Sequence, residues 1–123
     1  MLRLGWFSTG RGEGSCALLG LVQERIASGD LPATIDFVFQ NRDRGEAEGS
    51  DQFQDLVRSH GIPLVTLSSQ GFRRERGAKT FAEVRLEFDS QVIHLLQEYH
   101  PDLCVLAGYM LYTADELCRR FSM

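Results

Sequence analysis

Four short apolar segments alternate with stretches of helical periodicity, and this alternation restricts the fold more than any other feature of the sequence. The apolar segments are residues 2–7, 34–39, 62–65 and 103–107. Each has the length of a strand, and apolar residues in the intervening stretches recur at helical spacing. Repeated strand–helix units fold into a mainly parallel sheet with right-handed crossovers. We therefore predict one three-layer α/β domain.

Local signals predict where several of the helices begin and end. Gly61 stands where a left-handed cap belongs after a helix. Residues 68–79 are rich in Gly, Ser and Arg and predict a loop. Two Thr/Glu pairs have the spacing of a capping box and predict the starts of a long helix and a short final helix: Thr80 with Glu83, and Thr113 with Glu116.

Composition and charge exclude several classes of protein. The net charge of −4 lacks the basic footprint of a nucleic-acid binder, and no apolar run approaches the ~20 residues that span a bilayer. Three cysteines without a C-x-x-C pair suggest neither a disulfide framework nor a zinc site, so a reducing cytoplasm fits. One basic cluster is either a solvated loop or a contact for an anion: Arg73, Arg74 and Arg76.

Ligands of parallel α/β sheets collect outside the carboxyl ends of the strands. The turns after the first, second and fourth predicted strands are residues 8–14, 40–45 and 108–112. These three turns should share one rim of the sheet. That rim is the predicted site.

The first of these turns lies in "FSTGRGEGSCALL" and contains Gly10, Gly12 and Gly14. Backbone N–H groups of a glycine-rich turn at a helix N-terminus approach an anion closely, so phosphate is the natural guest. The turn lacks the Gly-Lys-Ser/Thr of a P-loop, and Ser15 stands in place of the third glycine of a dinucleotide fingerprint. Tight turning alone would also explain the glycines. The carboxylate of Glu13 would repel a phosphate unless it points away or binds a hydroxyl or amine of the ligand.

The segments "FSTGRGEGSCALL", "FVFQNRDRGEAEG", "HGIPLVTL", "VRLEFDSQVIHLL" and "YHPDLCVLAGYMLYTADEL" occur in an order that resembles the folate-dependent phosphoribosylglycinamide (glycinamide ribonucleotide) formyltransferases. The resemblance covers residues 1–123, which correspond to roughly the first half of a family member. It implies the N-terminal part of a Rossmann-like formyltransferase fold. It also implies 10-formyltetrahydrofolate as co-substrate and a phosphorylated small-molecule amine as acceptor.

Carried over by position, the resemblance assigns two groups of binding residues. The group matching the loop that holds the phosphate and ribose is Gly12, Glu13, Gly14 and Ser15. The group on the folate side is Arg85, which lies near the cleft, and the pterin-holding segment Met110, Leu111, Tyr112 and Thr113. Without the resemblance, the arginine would be interpreted as a solvated helix residue. The apolar members of the segment would be ordinary core at a strand end.

The residues that would complete formyl transfer are missing from this sequence. Attack of an amine on a formyl group needs an oxyanion donor and a general acid or base. The family supplies them from an Asn-x-His-Pro motif, which does not occur here, and from a later aspartate. The three histidines, His60, His94 and His100, lie on segments away from the predicted rim. We therefore predict no catalytic residue and no metal site, and expect these residues alone to be inactive.

Two other functions remain open from the sequence. One is a non-catalytic nucleotide-, phosphate- or protein-binding module. The other is a formyltransferase of the same superfamily that acts on a tRNA or a sugar nucleotide.

The predicted fourth strand, residues 103–107, is apolar throughout, as in a strand covered on both faces. By the resemblance, its outer neighbour in the sheet is absent, so it should lie at an edge and pair with another chain. We therefore predict a homodimer. The alternative is a monomer whose final helix folds over the edge and covers it with Leu117 and Phe121.

Overall fold

The computed structural model describes residues 1–123 and contains one four-stranded parallel sheet in the order β3-β2-β1-β4. The strands are β1 (Leu2–Ser8), β2 (Ala33–Gln40), β3 (Leu64–Thr66) and β4 (Leu103–Leu106). The helices are α1 (Glu13–Ala27), α2 (Glu48–Ser59), α3 (Ser69–Glu75), α4 (Arg85–Leu95) and α5 (Asp115–Arg120), with a 3-10 turn at Phe81–Glu83. The predicted three-layer α/β architecture is confirmed.

Two apolar clusters hold the helices against opposite faces of the sheet. Leu19 of α1 and Phe53 of α2 pack with Trp6 on one face. The second cluster lies on the other face and joins residues of β1, β2 and β4 to α3, α4 and α5: Phe7, Phe37, Phe39, Phe72, Val84, Phe88, Val92, Leu96, Cys104, Leu117 and Phe121. Helices on both faces of a parallel sheet are the arrangement that its βαβ connections impose.

A β-bulge in β2 changes which of its residues share a face. Leu4 pairs with Ile35, but Gly5 pairs with Phe37, so Asp36 is an extra residue in the ladder. The side chain of Asp36 accepts a hydrogen bond from Arg3 Nε at 2.6 Å. A side chain at Gly5 would collide with the ring of Phe37. Glycine opposite the bulge therefore makes room for a core aromatic ring.

Residues 68–79, predicted as a loop, contain helix α3, so that prediction is wrong. The hydroxyl of Ser68 accepts a hydrogen bond from the Gly71 N–H at 3.0 Å and caps the helix. Phe72 is buried and meets Phe88 edge-on, with 5.3 Å between ring centroids. Burial of this ring stabilises a helix that the local composition disfavours.

The capping signals are confirmed only in part. The Glu83 carboxylate accepts from the Thr80 N–H at 3.2 Å, but the capped element is the 3-10 turn, and α4 begins after it. The predicted Thr113 cap is wrong because Ala114 is the N-cap of α5 and no side chain of the helix caps it. Gly61 has φ +69° directly after α2, as its predicted cap requires.

Strand β4 lies at the edge of the sheet. Its composition predicts a strand that is covered on both faces, and that prediction is wrong. Leu103 and Leu106 are 40% and 44% exposed. Leu117 and Phe121 are buried in the core, and the Ser122 carbonyl accepts a hydrogen bond from the Cys104 N–H at 2.6 Å. The last residues thus pair with part of the edge, as the monomer alternative requires. Homodimer formation stays a prediction. No helix of the chain combines the length and apolarity that crossing a membrane requires.

Candidate functional site

Thr9 connects the turn after β1 to the segment after β4, and its side chain is fully buried. The Thr9 N–H donates to the Gly108 carbonyl at 3.1 Å, and its Oγ1 accepts from the Met110 N–H at 2.9 Å. The Thr9 carbonyl accepts from Gln40 Nε2 at 3.1 Å. The three turns predicted to share a rim therefore meet there, around one residue.

The glycines of the first turn serve two different purposes. Gly10 has φ +64°, and a side chain there would collide with Gln40 and Phe53, so turning and packing explain it. Gly12 is extended, with φ −175°, and Gly14 lies in the first turn of α1. A Cβ atom at either position would meet no atom within 4 Å. Tight turning therefore accounts for Gly10. It does not account for Gly12 and Gly14, which lie beside open space.

The carboxylate of Glu13 is a negative charge at the start of the helix that follows this turn. Glu13 is exposed in the first turn of α1, which begins two residues earlier than Ser15. Burial, assisted by the Glu13 charge, raises the pKa of the Cys16 thiol. An anion bound at the turn would feel the same charge, which opposes the attraction of the helix N-terminus.

Gly49 of α2 allows the glycine turn to pack closely against that helix, because a Cβ atom there would overlap the carbonyl of Arg11. We expect Gly49→Ala to lower the free energy of unfolding by about 1–3 kcal/mol through overpacking. A matched control is Gly20→Ala in α1, where a Cβ atom meets nothing within 4 Å. That change should stabilise the chain by about 0.5–1 kcal/mol because alanine favours helix. Urea denaturation measures both, and equal effects of the two changes would contradict this role of Gly49.

Hydrogen bonds hold the segment after β4 at both ends. Thr9 binds the N–H of Met110, and Asp89 of α4 accepts from the Ala114 N–H at 2.6 Å. Between these bonds Met110 and Tyr112 are 60% and 83% exposed. Their exposure rules out the alternative that they are ordinary core residues. The backbone of residues 110–114 is therefore fixed while two of its large side chains face solvent.

Arg85, predicted near the folate side, lies beside this segment. Its guanidinium carbon is 5.7 Å from the centroid of the Tyr112 ring, which is within cation–π range. Arg85 Nε is buried and has no hydrogen-bond partner. The structure thus places Arg85 beside Tyr112 with part of its guanidinium group buried, and its role at the folate side stays a prediction.

Asp89 is buried next to this segment, and the hydroxyl of the neighbouring Tyr109 is buried as well. Burial raises the pKa of Asp89, although the Ala114 N–H and Arg85 act in the opposite direction. Burial and the neighbouring Asp89 charge raise the pKa of Tyr109 far above its ordinary value. The Tyr109 hydroxyl has no partner and remains protonated at neutral pH. Neither residue was predicted, because the long-range packing that buries both is not visible in their local sequence.

A cleft of about 200 Å³ opens at the same rim, between the ends of β2 and β3 and the segment after β4. It is lined by Asn41, Arg42, Ser69, Gln70, Arg73, Phe81, Met110 and Leu111. Two of the predicted folate-side residues, Met110 and Leu111, thus border it, whereas residues 12–15 do not. Residues that follow the end of β3 also contribute to the rim. Their contribution was not predicted, because residues 68–79 were expected to form a loop.

The histidines lie at the other end of the molecule. His60 follows the C-terminus of α2, His94 is in the last turn of α4, and His100 precedes β4; all three are exposed. These helices run back to the amino ends of the strands, opposite the rim. No three His, Cys, Asp or Glu side chains cluster as metal ligands would.

No protein-family model matches the sequence, and no curated protein sequence matches it significantly. Solved structures do match. Glycinamide ribonucleotide transformylase 1 from Symbiobacterium toebii is 23% identical, with a TM-score of 0.69, and the match covers 99% of this chain and 48% of that one. Phosphoribosylglycinamide formyltransferase from Bacillus halodurans is 21% identical, with a TM-score of 0.68 and coverages of 98% and 52%.

PvdF of pyoverdin biosynthesis, described as an N10-formyltetrahydrofolate-dependent formyltransferase, is 18% identical with a TM-score of 0.60; the match covers 97% of this chain and 59% of PvdF. The chain thus spans about half the length of the structures that it matches. At these identities the likeness establishes the fold, which is that of the N-terminal half of a formyltransferase. The resemblance drawn from the sequence is confirmed at that level.

Proposed function

We propose that this chain is the substrate-binding part of a folate-dependent formyltransferase that acts in the cytoplasm. The complete enzyme would transfer a formyl group from 10-formyltetrahydrofolate to the amine of glycinamide ribonucleotide, a step of purine biosynthesis. The observation that carries the proposal is the pair of hydrogen bonds through which Thr9 joins the glycine turn to the segment after β4. These bonds bring the open space beside the glycine turn next to the exposed segment after β4. A transfer between two substrates requires two such neighbouring surfaces.

In this proposal the glycine turn holds the phosphorylated amine. Backbone N–H groups of residues 12–15 would bind its phosphate and ribose, and the open space above Gly12 and Gly14 leaves room for them. Gly12 and Gly14 would then be glycines because the ligand approaches the backbone closely.

The folate would bind on the other side of Thr9. Residues 110–113 present the exposed side chains of Met110 and Tyr112, free backbone groups among them would hydrogen-bond a flat heterocycle, and Arg85 supplies a positive charge beside them. Fixing of this backbone by Thr9 and Asp89 lowers the entropic cost of binding.

Two alternatives of different chemistry stay distinct from this proposal. A non-catalytic phosphate-binding module would use the glycine turn and make no use of folate. A formyltransferase for a sugar nucleotide or a tRNA would use folate with a different acceptor. Binding of a folate analogue to the chain would contradict the first alternative. Tighter binding of glycinamide ribonucleotide than of a sugar nucleotide or a tRNA, measured by competition, would contradict the second.

The turn itself is tested by titration with inorganic phosphate while the amide NMR signals of residues 12–15 are followed. We expect millimolar binding, and Glu13→Gln should tighten it about two- to fivefold by removing a repulsion at the helix N-terminus. The control is Glu24→Gln, an exposed change later in the same helix that should leave the affinity unchanged. Unmoved signals at residues 12–15, or equal effects of the two changes, would contradict the assignment of the turn.

A further inference from the structure

The cleft beside Asn41 contains positive charge that the chain does not neutralise. Arg42 forms a salt bridge with Glu46, in which Nη1 and Oε2 are 3.8 Å apart without a hydrogen bond, and Arg42 Nε is buried without a partner. Arg73 uses Nη1 to bind the Ala78 carbonyl at 3.1 Å, which leaves its other donors free. With two guanidinium groups and one loosely placed carboxylate, the cleft has an excess of hydrogen-bond donors for an anion.

The other arginines of the basic cluster differ from Arg73. Arg76 donates to the Glu87 carboxylate at 2.8 Å and stacks on the Phe72 ring, 3.4 Å from its centroid, so its charge is already paired. Arg74 is exposed and does not line the cleft. Of the three arginines in the basic cluster, only Arg73 therefore lines the cleft.

Asn41 adds an unused acceptor to the cleft. Its side chain is 2% exposed, and its Nδ2 donates to Ser69 Oγ at 3.0 Å. The Ser69 hydroxyl in turn donates to the Asn41 carbonyl, 3.4 Å away. The Asn41 carbonyl also accepts from the Ser69 N–H at 3.2 Å, whereas Asn41 Oδ1 is the atom without a partner.

The size of the cleft limits the ligand. Its volume of about 200 Å³ is below the roughly 300–1,000 Å³ of pockets for drug-sized molecules. A metabolite of about ten heavy atoms fits, whereas a nucleotide does not.

We propose that this cleft binds a small organic anion that carries an O–H or N–H donor next to its acidic group. The acidic group pairs with the guanidinium groups of Arg42 and Arg73, and the donor satisfies Asn41 Oδ1. A hydroxy or amino carboxylate has this chemistry. Because Asn41 Oδ1 and Arg42 Nε lie beneath the surface, the ligand reaches them when the exposed side chains of Gln70 and Met110 rotate aside.

The cleft borders the proposed folate side through Met110 and Leu111, but the proposal rests on other residues and differs from the phosphate site at residues 12–15, which do not line the cleft. The probes are L-malate and succinate, two dicarboxylates of equal charge, of which only malate has a hydroxyl beside a carboxylate. Isothermal calorimetry or NMR titration of the 123-residue chain should show malate binding about fivefold more tightly than succinate, since one hydrogen bond is lost. Equal affinities would overturn the role of Asn41.

Variants of the arginines test the anion contact. Arg73→Gln and Arg42→Gln should each weaken malate binding at least about tenfold, since each removes a charge-assisted hydrogen bond. Arg74→Gln, one residue along the same helix, is the matched control and should bind malate as the unaltered chain does. An equal loss in Arg74→Gln would show general charge attraction only and overturn the site. So would the absence of malate binding at tens of millimolar. Circular dichroism of each variant confirms that it is folded.

Discussion

Replacement of Phe7 by alanine is expected to lower the free energy of unfolding by about 3–5 kcal/mol. Phe7 is fully buried at the centre of the larger apolar cluster. Its ring contacts those of Phe37, Phe39, Tyr109 and Phe121 at centroid distances of 5.9, 5.5, 5.5 and 6.0 Å. The change leaves a cavity and removes edge-on aromatic contacts at once. Because a domain of this size is stable by about 5–15 kcal/mol, the loss is a large share of the total.

Equilibrium denaturation in urea measures this loss, and two further variants calibrate it. Tyr112→Ala also removes an aromatic ring, but that ring is 83% exposed, so the free energy of unfolding should change by less than about 0.5 kcal/mol. Phe7→Leu keeps most of the buried volume and should cost less than Phe7→Ala. If Phe7→Ala cost no more than Tyr112→Ala, the cluster around Phe7 would not be the core of this fold.

A purified chain of these 123 residues is expected to transfer formyl groups at least about 10⁴-fold more slowly than a full-length formyltransferase. A positioned general acid or base contributes about 10²–10⁴-fold, and an oxyanion donor about 10²–10³-fold. No histidine lies at the rim where the glycine turn and residues 110–113 meet, because all three lie toward the opposite edge of the sheet. In the proposed function, the chain would therefore bring the substrates together without moving the proton.

The assay follows the conversion of 10-formyltetrahydrofolate with glycinamide ribonucleotide as acceptor. The Bacillus halodurans enzyme, assayed in parallel, shows that the reagents are active. Turnover that persists through purification would contradict the prediction. Substitution of Glu13, Asp43, Glu46 and Arg85 in turn would then identify the group that supplies it.

The alternation of apolar segments with helical periods was enough to predict the fold, because a parallel sheet must connect each strand to the next through a crossover. The rim followed from the same rule, since the carboxyl ends of parallel strands meet at one edge. Thr9 joins the turns at this edge through its hydrogen bonds, although nothing in its local sequence distinguishes it. Its importance depends on Gly108 and Met110, which lie about a hundred residues further along the chain.

Local signals failed where a distant contact outweighed them. Helix α3 forms in a segment of loop-like composition because Phe72 is buried against Phe88. The capping box predicted at Thr113 does not form: α5 has Ala114 as its N-cap, and the Ala114 N–H donates to the carboxylate of Asp89. In both cases a side chain on α4 contacts a segment that it does not adjoin in sequence.

The sequence by itself determined the strand and helix order, the parallel sheet and the rim on which ligands would collect. Periodicity and turn chemistry are local properties, and chain connectivity converts them into topology. Only the tertiary structure decided which residues at that rim are open, charged or unpaired. Gly12 and Gly14 have free space beside them, Asn41 keeps an acceptor without a donor, and Arg76 but not Arg73 is paired with a carboxylate. Each of these properties depends on the atoms that packing brings near a residue, and sequence neighbours do not specify those atoms.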